Sequence, residues 1–296
     1  MKEILFWPLA IFSVVVLASC GGGGSSTIDT MAPSITGVSI NPPSNGQLKL
    51  TATATDSSGV SGYCFKTSST TPLSSDACFQ TDPNYTITLP QTSVIYAWAK
   101  DAAGNISATA TAGCSAAGLS ASQASTLPTV CVSTSLGQYV LELESTHAPI
   151  TTANFLRYVN DGYYSQTVFH RVIANFMVQG GGFTGVPISV SNAKAGTVYP
   201  AITLEAPGTT GLSNTTGTIA MARTNVANSA TSQFFINVVD NTALNTSGGG
   251  YAVFGRVISG MDTTIQSIKN VQVQSNGSEV SQPLTPPVVA WAYSLK

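Results

Sequence analysis

Charge is scarce in this chain of 296 residues: 8% of positions are Asp, Glu, Lys or Arg, and the formal net charge is -2. The arginines are Arg157, Arg171, Arg223 and Arg256, all in the second half, so no basic face for nucleic acid is present. Histidine is scarcer still, with only His147 and His170, and no Cys-x-x-Cys pair occurs. The ligand spacings of a metal site are therefore missing, and neither a metal nor another cofactor is expected. Beyond residue 17 no apolar run approaches the roughly 18 residues that a helix needs to cross a bilayer. Ser, Thr, Asn and Gly take the place of charge, a composition that suits β-sheets and loops outside the cytoplasm. The length allows two domains, each able to bury a core.

Ile4 to Leu17 is nearly unbroken apolar sequence and is followed by Leu17-Ala18-Ser19-Cys20. The run is too short to span a membrane comfortably and reads as a signal peptide, residues 1–19. Its end resembles the bacterial lipobox, which implies cleavage before Cys20 and acyl chains, palmitate among them, on that cysteine. The positive n-region is only Lys2, offset by Glu3. Residues 20–32, opening with Gly21 to Ser26, form an anchor and flexible leash. The chain is thus expected to be exported and membrane-anchored, facing the periplasm or on a bacterial outer membrane. Four cysteines remain in this oxidising compartment: Cys64, Cys78, Cys114 and Cys131. Of three pairings, proximity favours Cys64 with Cys78 and Cys114 with Cys131.

Residues 33–112 alternate short β-type stretches with turn signals. Leu48 to Ala54 and Ser93 to Ala99 have period two, with Tyr96 and Trp98 on one face. Asn41-Pro42-Pro43, Asp56 to Gly59, Asp82-Pro83-Asn84 and Asp101 to Asn105 punctuate them. This spacing predicts an antiparallel sandwich of about seven strands. Tyr96 to Asn105 also resembles the immunoglobulin-like modules of bacterial surface proteins, although a strand and turn of any sandwich would look similar. Such a module supplies no catalytic groups; it would act as a spacer or dock a protein or surface ligand. Residues 113–128, rich in Ser, Ala and Gly without apolar period, read as a linker.

The second domain, residues 129–296, opens with a strand from Val130 and a hairpin turn at Leu136-Gly137 into the alternating Gln138 to Glu144. Phe155, Leu156 and Val159 recur at helical spacing after Pro149, with Thr151 as the cap and Asp161-Gly162 as the stop. Gly260-Met261-Asp262 opens a second short helix with Ile265 and Ile268 on one face, and Val288 to Tyr293 is the final strand. The pattern predicts a mostly β chain whose second domain is a closed antiparallel β-barrel with two capping helices.

Three ordered blocks carry a resemblance. They are Val168-Phe169-His170-Arg171-Val172-Ile173-Ala174-Asn175-Phe176-Met177-Val178-Gln179-Gly180-Gly181, then Gly217 to Thr224 with Ser229 to Asn237, then Gly250 to Val257 with Gly260-Met261-Asp262. Together they are similar to the bacterial branch of the cyclophilin-type peptidyl-prolyl cis-trans isomerases. The resemblance implies a foldase that turns X-Pro bonds in proline-containing polypeptides. That amide's partial double bond imposes a barrier of roughly 18 to 20 kcal/mol. Twisting it leaves a lone pair on the proline nitrogen, and a fixed donor aimed there stabilises the twisted state selectively. Arg171 matches the family's catalytic arginine, with Phe176 and Gln179 as its partners, Gln179 orienting the arginine. His170, Met177, Ala222, Arg223, Gln233, Phe235, Leu244 and Tyr251 match substrate-binding positions, although the reaction needs no general base and His170 also reads as structural. No Asp or Glu lies within eight positions of Arg171. Two departures stand out: Ala174 replaces the usual proline, and Ala243 replaces a large ring at the pocket rim, which leaves open a second reading as a peptide grip without catalysis.

Overall fold

The computed structural model describes residues 28–296, so the signal peptide, Cys20 and the start of the leash lie outside the described residues. The first unit holds six strands: β1 Ser34–Ile40, β2 Gln47–Thr55, β3 Val60–Lys66, β4 Asn84–Thr88, β5 Ile95–Asp101 and β6 Ala110–Ala112. They form two three-stranded antiparallel sheets, ordered β1-β2-β4 and β3-β5-β6. Period two governs β5: Ile95 and Ala97 point into the core, whereas Tyr96 and Trp98 stack on the other face, with Trp98 Nε1 donating to Thr109 Oγ1 at 3.0 Å. Both disulfides favoured by proximity form, Cys64–Cys78 and Cys114–Cys131.

The stretch expected as a linker is instead partly helical. Helix α1, Ala116–Ala124, starts at Ser115, whose hydroxyl caps Gly118 N–H at 3.2 Å. Gln138 of the second unit binds both sides of that start, accepting from Ser115 N–H at 2.8 Å and donating to the Gly113 carbonyl at 3.1 Å. Leu119 is buried, and the helix lies on the strands of the second unit. Nine residues of Ala, Ser, Gly, Leu and Gln have little reason to be helical in water; packing supplies it.

The second unit continues with β7 Thr129–Thr134, β8 Gly137–Leu143, α2 Pro149–Asn160, β9 Arg171–Ile173, β10 Met177–Gly180, the short α3 Pro207–Thr210, β11 Thr218–Met221, β12 Phe234–Asn237 and β13 Val253–Ser259. A π turn, Met261–Ile265, runs into α4 Gln266–Lys269; β14 Val273–Ser275, β15 Val280–Pro283 and β16 Val289–Ser294 complete it. Eight strands make one antiparallel sheet in the order β16-β7-β8-β13-β11-β12-β10-β9, and β14 pairs only with β15. The expected closed barrel is corrected here: the sheet is open between β9 and β16, spanned by an isolated bridge, Val168 to Val288, rather than by a ladder. Thr151 is corrected too. It lies inside α2, and the orphan donors of that helix, Ile150 N–H at 3.0 Å and Thr151 N–H at 2.8 Å, are met by the Glu205 carboxylate from a distant loop.

Alternation along these strands produces three cores from one sheet. Val130, Val132, Tyr139, Leu141, Val178, Ile219, Ile236 and Phe254 point inward, beneath α2, where Phe155 meets Tyr164, Phe234 and Phe254 at 5.1 to 5.7 Å. On the outer face, Cys131, Val140, Trp291 and Tyr293 join Leu119 of α1 and the Leu48, Leu50 and Phe65 core of the first unit. Further along that same outer face Met177, Ala220, Phe235 and Val253 form a small third cluster.

Candidate functional site

A row of cross-strand partners builds the third cluster. Arg171 pairs with Gln179, Gln179 with Phe235, Phe235 with Ala220, and Ala220 with Val253, so five side chains from five strands share one face. Around them lies a cleft of about 240 Å³ lined by Arg171, Phe176, Met177, Gln179, Ala222, Arg223, Phe235, Leu244 and Tyr251. Phe176 stands in the turn between β9 and β10, where its N–H donates to the Ile173 carbonyl at 2.9 Å. Leu244 comes from the 3-10 turn Thr242–Asn245. Tyr251 meets Phe235 edge to face at 5.9 Å. The floor, Met177 and Phe235, is apolar and buried.

Arg171 reaches this cleft with its guanidinium carbon 5.8 Å from the Phe176 ring centre and Nη1 3.8 Å from Met177 Sδ. Its other edge is engaged by a carboxylate remote in sequence. Nε and Nη2 both donate to Glu279, Nη2 at 2.8 Å, in a two-pronged ion pair. The arginine holds the Glu279 carboxyl down at about 2. Gln179 does not orient the arginine by a hydrogen bond: its Nε2 donates to Gln233 Oε1 at 3.0 Å. Gln233 thus stands behind Gln179 rather than lining the cleft.

Two of the expected substrate contacts have other work. The donors of Arg223 go to backbone carbonyls, those of Ser247, Gly248 and Gly250 at 2.7 to 3.2 Å and that of Thr224 at 2.9 Å, while its guanidinium covers the Tyr251 ring at 4.4 Å. It clamps the loop that presents Tyr251. Gly250 is needed in that loop, because at φ +97° a Cβ would lie 2.7 Å from the Asn245 carbonyl. His170 is not in the cleft. Adjacent residues on a strand face opposite ways, so its ring is 3% exposed and packs edge to face on Phe183 at 4.9 Å. Burial lowers it to about 4, and it is neutral at pH 7.

Behind the rim runs an amide network that no local sequence signal announces. Asn241 Nδ2 donates to the Phe176 carbonyl at 2.8 Å and to Asn237 Oδ1 at 2.8 Å; Asn237 Nδ2 reaches Thr218 Oγ1 at 2.9 Å and Asn214 Oδ1 at 3.2 Å; Asn214 reaches Asn245 and the Tyr251 carbonyl. Asn214 and Asn237 are fully buried, so these bonds are made without competition from water and hold Phe176, the Leu244 turn and Tyr251 in fixed relation.

Two other features lie away from the cleft. A larger cavity of about 460 Å³, between residues 42–45 and 161–199, is lined by Asp161, Lys194, Tyr163 and Tyr199 among side chains with charge or a phenol. In the first unit Asp29, Asp56 and Asp101 gather within 4.8 Å, with Asp101 committed to the Asn105 backbone and amide at 2.9 and 2.7 Å.

Comparison with known proteins supplies the remaining observation. The family model for "Cyclophilin type peptidyl-prolyl cis-trans isomerase/CLD" matches residues 129–290. A peptidyl-prolyl cis-trans isomerase of Streptomyces antibioticus is 45% identical over 168 residues, covering 55% of this chain and 96% of the relative. One of Acinetobacter baylyi is 48% identical over 155 residues, covering 52% and 78% respectively. Peptidyl-prolyl cis-trans isomerase B of Escherichia coli is 44% identical over 155 residues, covering 51% and 89%.

Proposed function

The chain belongs to the cyclophilin-type peptidyl-prolyl cis-trans isomerase family and is an enzyme of that class, and from this premise we propose that Arg171 drives the rotation while the apolar cleft grips the proline ring. The observation that carries the reading is the meeting of a guanidinium edge with a buried apolar floor on one face of the sheet. Arg171 has five N–H groups and spends two on Glu279, so Nη1 keeps its donors on the cleft side. When the substrate amide twists, conjugation is lost and the proline nitrogen becomes an acceptor; a donor fixed beside it lowers the twisted state more than the planar one. Phe176, Met177, Phe235 and Leu244 hold the ring as the preceding carbonyl swings, and Gln179 addresses the substrate backbone. No proton moves, so neither His170 nor any carboxyl is required as acid or base.

The substrates in this reading are exported proline-containing polypeptides, and acylated Cys20 anchors the enzyme on the outer membrane or facing the periplasm. Two disulfides, in a chain whose N-terminus carries a lipobox-like run, support that compartment. No helix of the described residues is long and apolar enough to cross a membrane. Residues 33–112 serve as an immunoglobulin-like spacer or docking module, resting on the outer face of the isomerase sheet away from the cleft.

The decisive experiment is Arg171→Ala in a proline-peptide isomerisation assay. Losing one donor aimed at the transition state costs about 3 to 4 kcal/mol, so kcat/KM should fall by roughly two to three orders of magnitude while the chain stays folded. Wild-type turnover by a folded variant refutes the mechanism.

A further inference from the structure

Arg171 is exposed enough to swing, since about 30% of its side chain meets solvent. A long flexible side chain in water has many rotamers, and one productive orientation needs a restraint. Gln179 does not provide it, since among the described residues no hydrogen bond joins the two. The restraint comes from the turn between β14 and β15. There Asn276 Oδ1 accepts from the N–H groups of Ser278 and Glu279, both at 3.0 Å, which fixes the backbone carrying Glu279. The Ser281 hydroxyl, itself fully buried, donates to Glu279 Oε1 at 2.7 Å and receives Asn276 Nδ2 at 3.3 Å. The carboxylate is thus held at both its backbone and its head before it meets the arginine, and β15 packs directly against β9, the strand of Arg171.

We propose that Glu279 is the positioning residue for the catalytic arginine: its carboxylate grips the Nε and Nη2 edge of Arg171 and so turns Nη1 toward Met177 and the proline site. The inference rests on the reading of Arg171 given above and adds a residue more than a hundred positions away to the catalytic apparatus. A planar fork caught by two parallel bonds loses rotation about its long axis as well as translation, which a single bond would not achieve. Because Arg171 holds the Glu279 carboxyl down at about 2, that carboxylate is charged through the neutral pH range.

The test is a double-mutant cycle on the full chain, with kcat/KM and peptide affinity measured separately for wild type, Glu279→Ala, Arg171→Ala and the double variant. Misplacing a catalytic group by about 1 Å costs up to roughly a hundredfold, so Glu279→Ala is expected to lower kcat/KM by about tenfold to a hundredfold with peptide affinity little changed. In the Arg171→Ala background the same substitution should change nothing further. Should Glu279→Ala fail to fold, Glu279→Gln, which keeps shape but loses the charge-assisted pair, carries the same comparison. An NMR signal from Arg171 Nε–H, protected in wild type and averaged in the Glu279 variants, reports the restraint directly. Wild-type or raised kcat/KM in a folded Glu279 variant overturns the inference, as does a loss that persists without Arg171. If Arg171→Ala itself is fully active, the mechanism proposed for the arginine fails instead.

Discussion

His170 couples the stability of this fold to acid without touching its chemistry, and the two can be measured apart. The ring is buried beside Phe183 with Nδ1 lacking a partner, and desolvation lowers it from an ordinary 6.5 to about 4, with the neighbouring Arg171 charge acting in the same direction and the Val168 carbonyl opposing. At pH 7 the folded chain does not carry the proton, and the unfolded chain carries it in only a minority of molecules. As pH falls through 6.5 the unfolded chain takes it up, whereas the native state refuses it until about 4, so stability is lost across that window and the loss is complete below it. A gap from 6.5 to about 4, at about 1.4 kcal/mol per tenfold, is worth about 3 kcal/mol in full and about 2 kcal/mol between pH 7 and pH 5. Glu279 acts in a lower window: its depressed carboxyl contributes stability above about 4.5 that is lost as pH falls toward 2. Urea unfolding at pH 7 and pH 5 of wild type and His170→Phe isolates the histidine, because phenylalanine keeps the ring contact with Phe183 and sacrifices no bond at Nδ1. The wild type should lose about 2 kcal/mol more than the variant over that interval. Over the same range kcat/KM of the folded enzyme should stay flat, since the rotation moves no proton. Equal losses in the two proteins would refute the burial argument, and a bell-shaped rate profile would refute the chemistry.

Gly118→Ala in α1 should destabilise the chain by about 1 to 3 kcal/mol in urea unfolding, although helix propensity alone favours alanine by about 1 kcal/mol. The added Cβ would lie 2.7 Å from Cys114 Sγ and 2.9 Å from Val140 Cγ2, and an increase in stability would show that the seam between the two units is looser than its geometry. On the proposed lipoprotein reading, membrane attachment should depend on Cys20 through its acyl chains; Cys20→Ser protein that still partitions with membranes after a high-salt wash would end that reading.

How much of this was legible in the sequence follows from distance along the chain. Arg171, Phe176, Met177 and Gln179 sit within nine positions, and β-alternation with cross-strand register carries them to one face, so a local run sufficed to gather the near side of the cleft. Phe235, Leu244 and Tyr251 came from separate blocks whose order was recognisable. Glu279 was invisible for the converse reason: Asn276-Gly277-Ser278-Glu279 reads as an ordinary polar turn, and only the packing of β15 on β9 makes that carboxylate a partner of Arg171. The same logic explains His170: it belongs to the signature run, but it neighbours Arg171 on the strand and therefore faces away from the cleft. Helix α1 had no apolar period to betray it, because its partners are a disulfide, a capping serine and the amide of Gln138 rather than a hydrophobic stripe. Closure of the sheet could not be read either: period two fixes which face a side chain takes, but whether the edges β9 and β16 meet depends on residues 166–169 and 287–289, which touch through an isolated bridge and a few backbone bonds. Strand β9, which carries Arg171, lies at that open edge, and the turn that bears Glu279 leads into β15, which packs on β9 and so brings the carboxylate to the arginine.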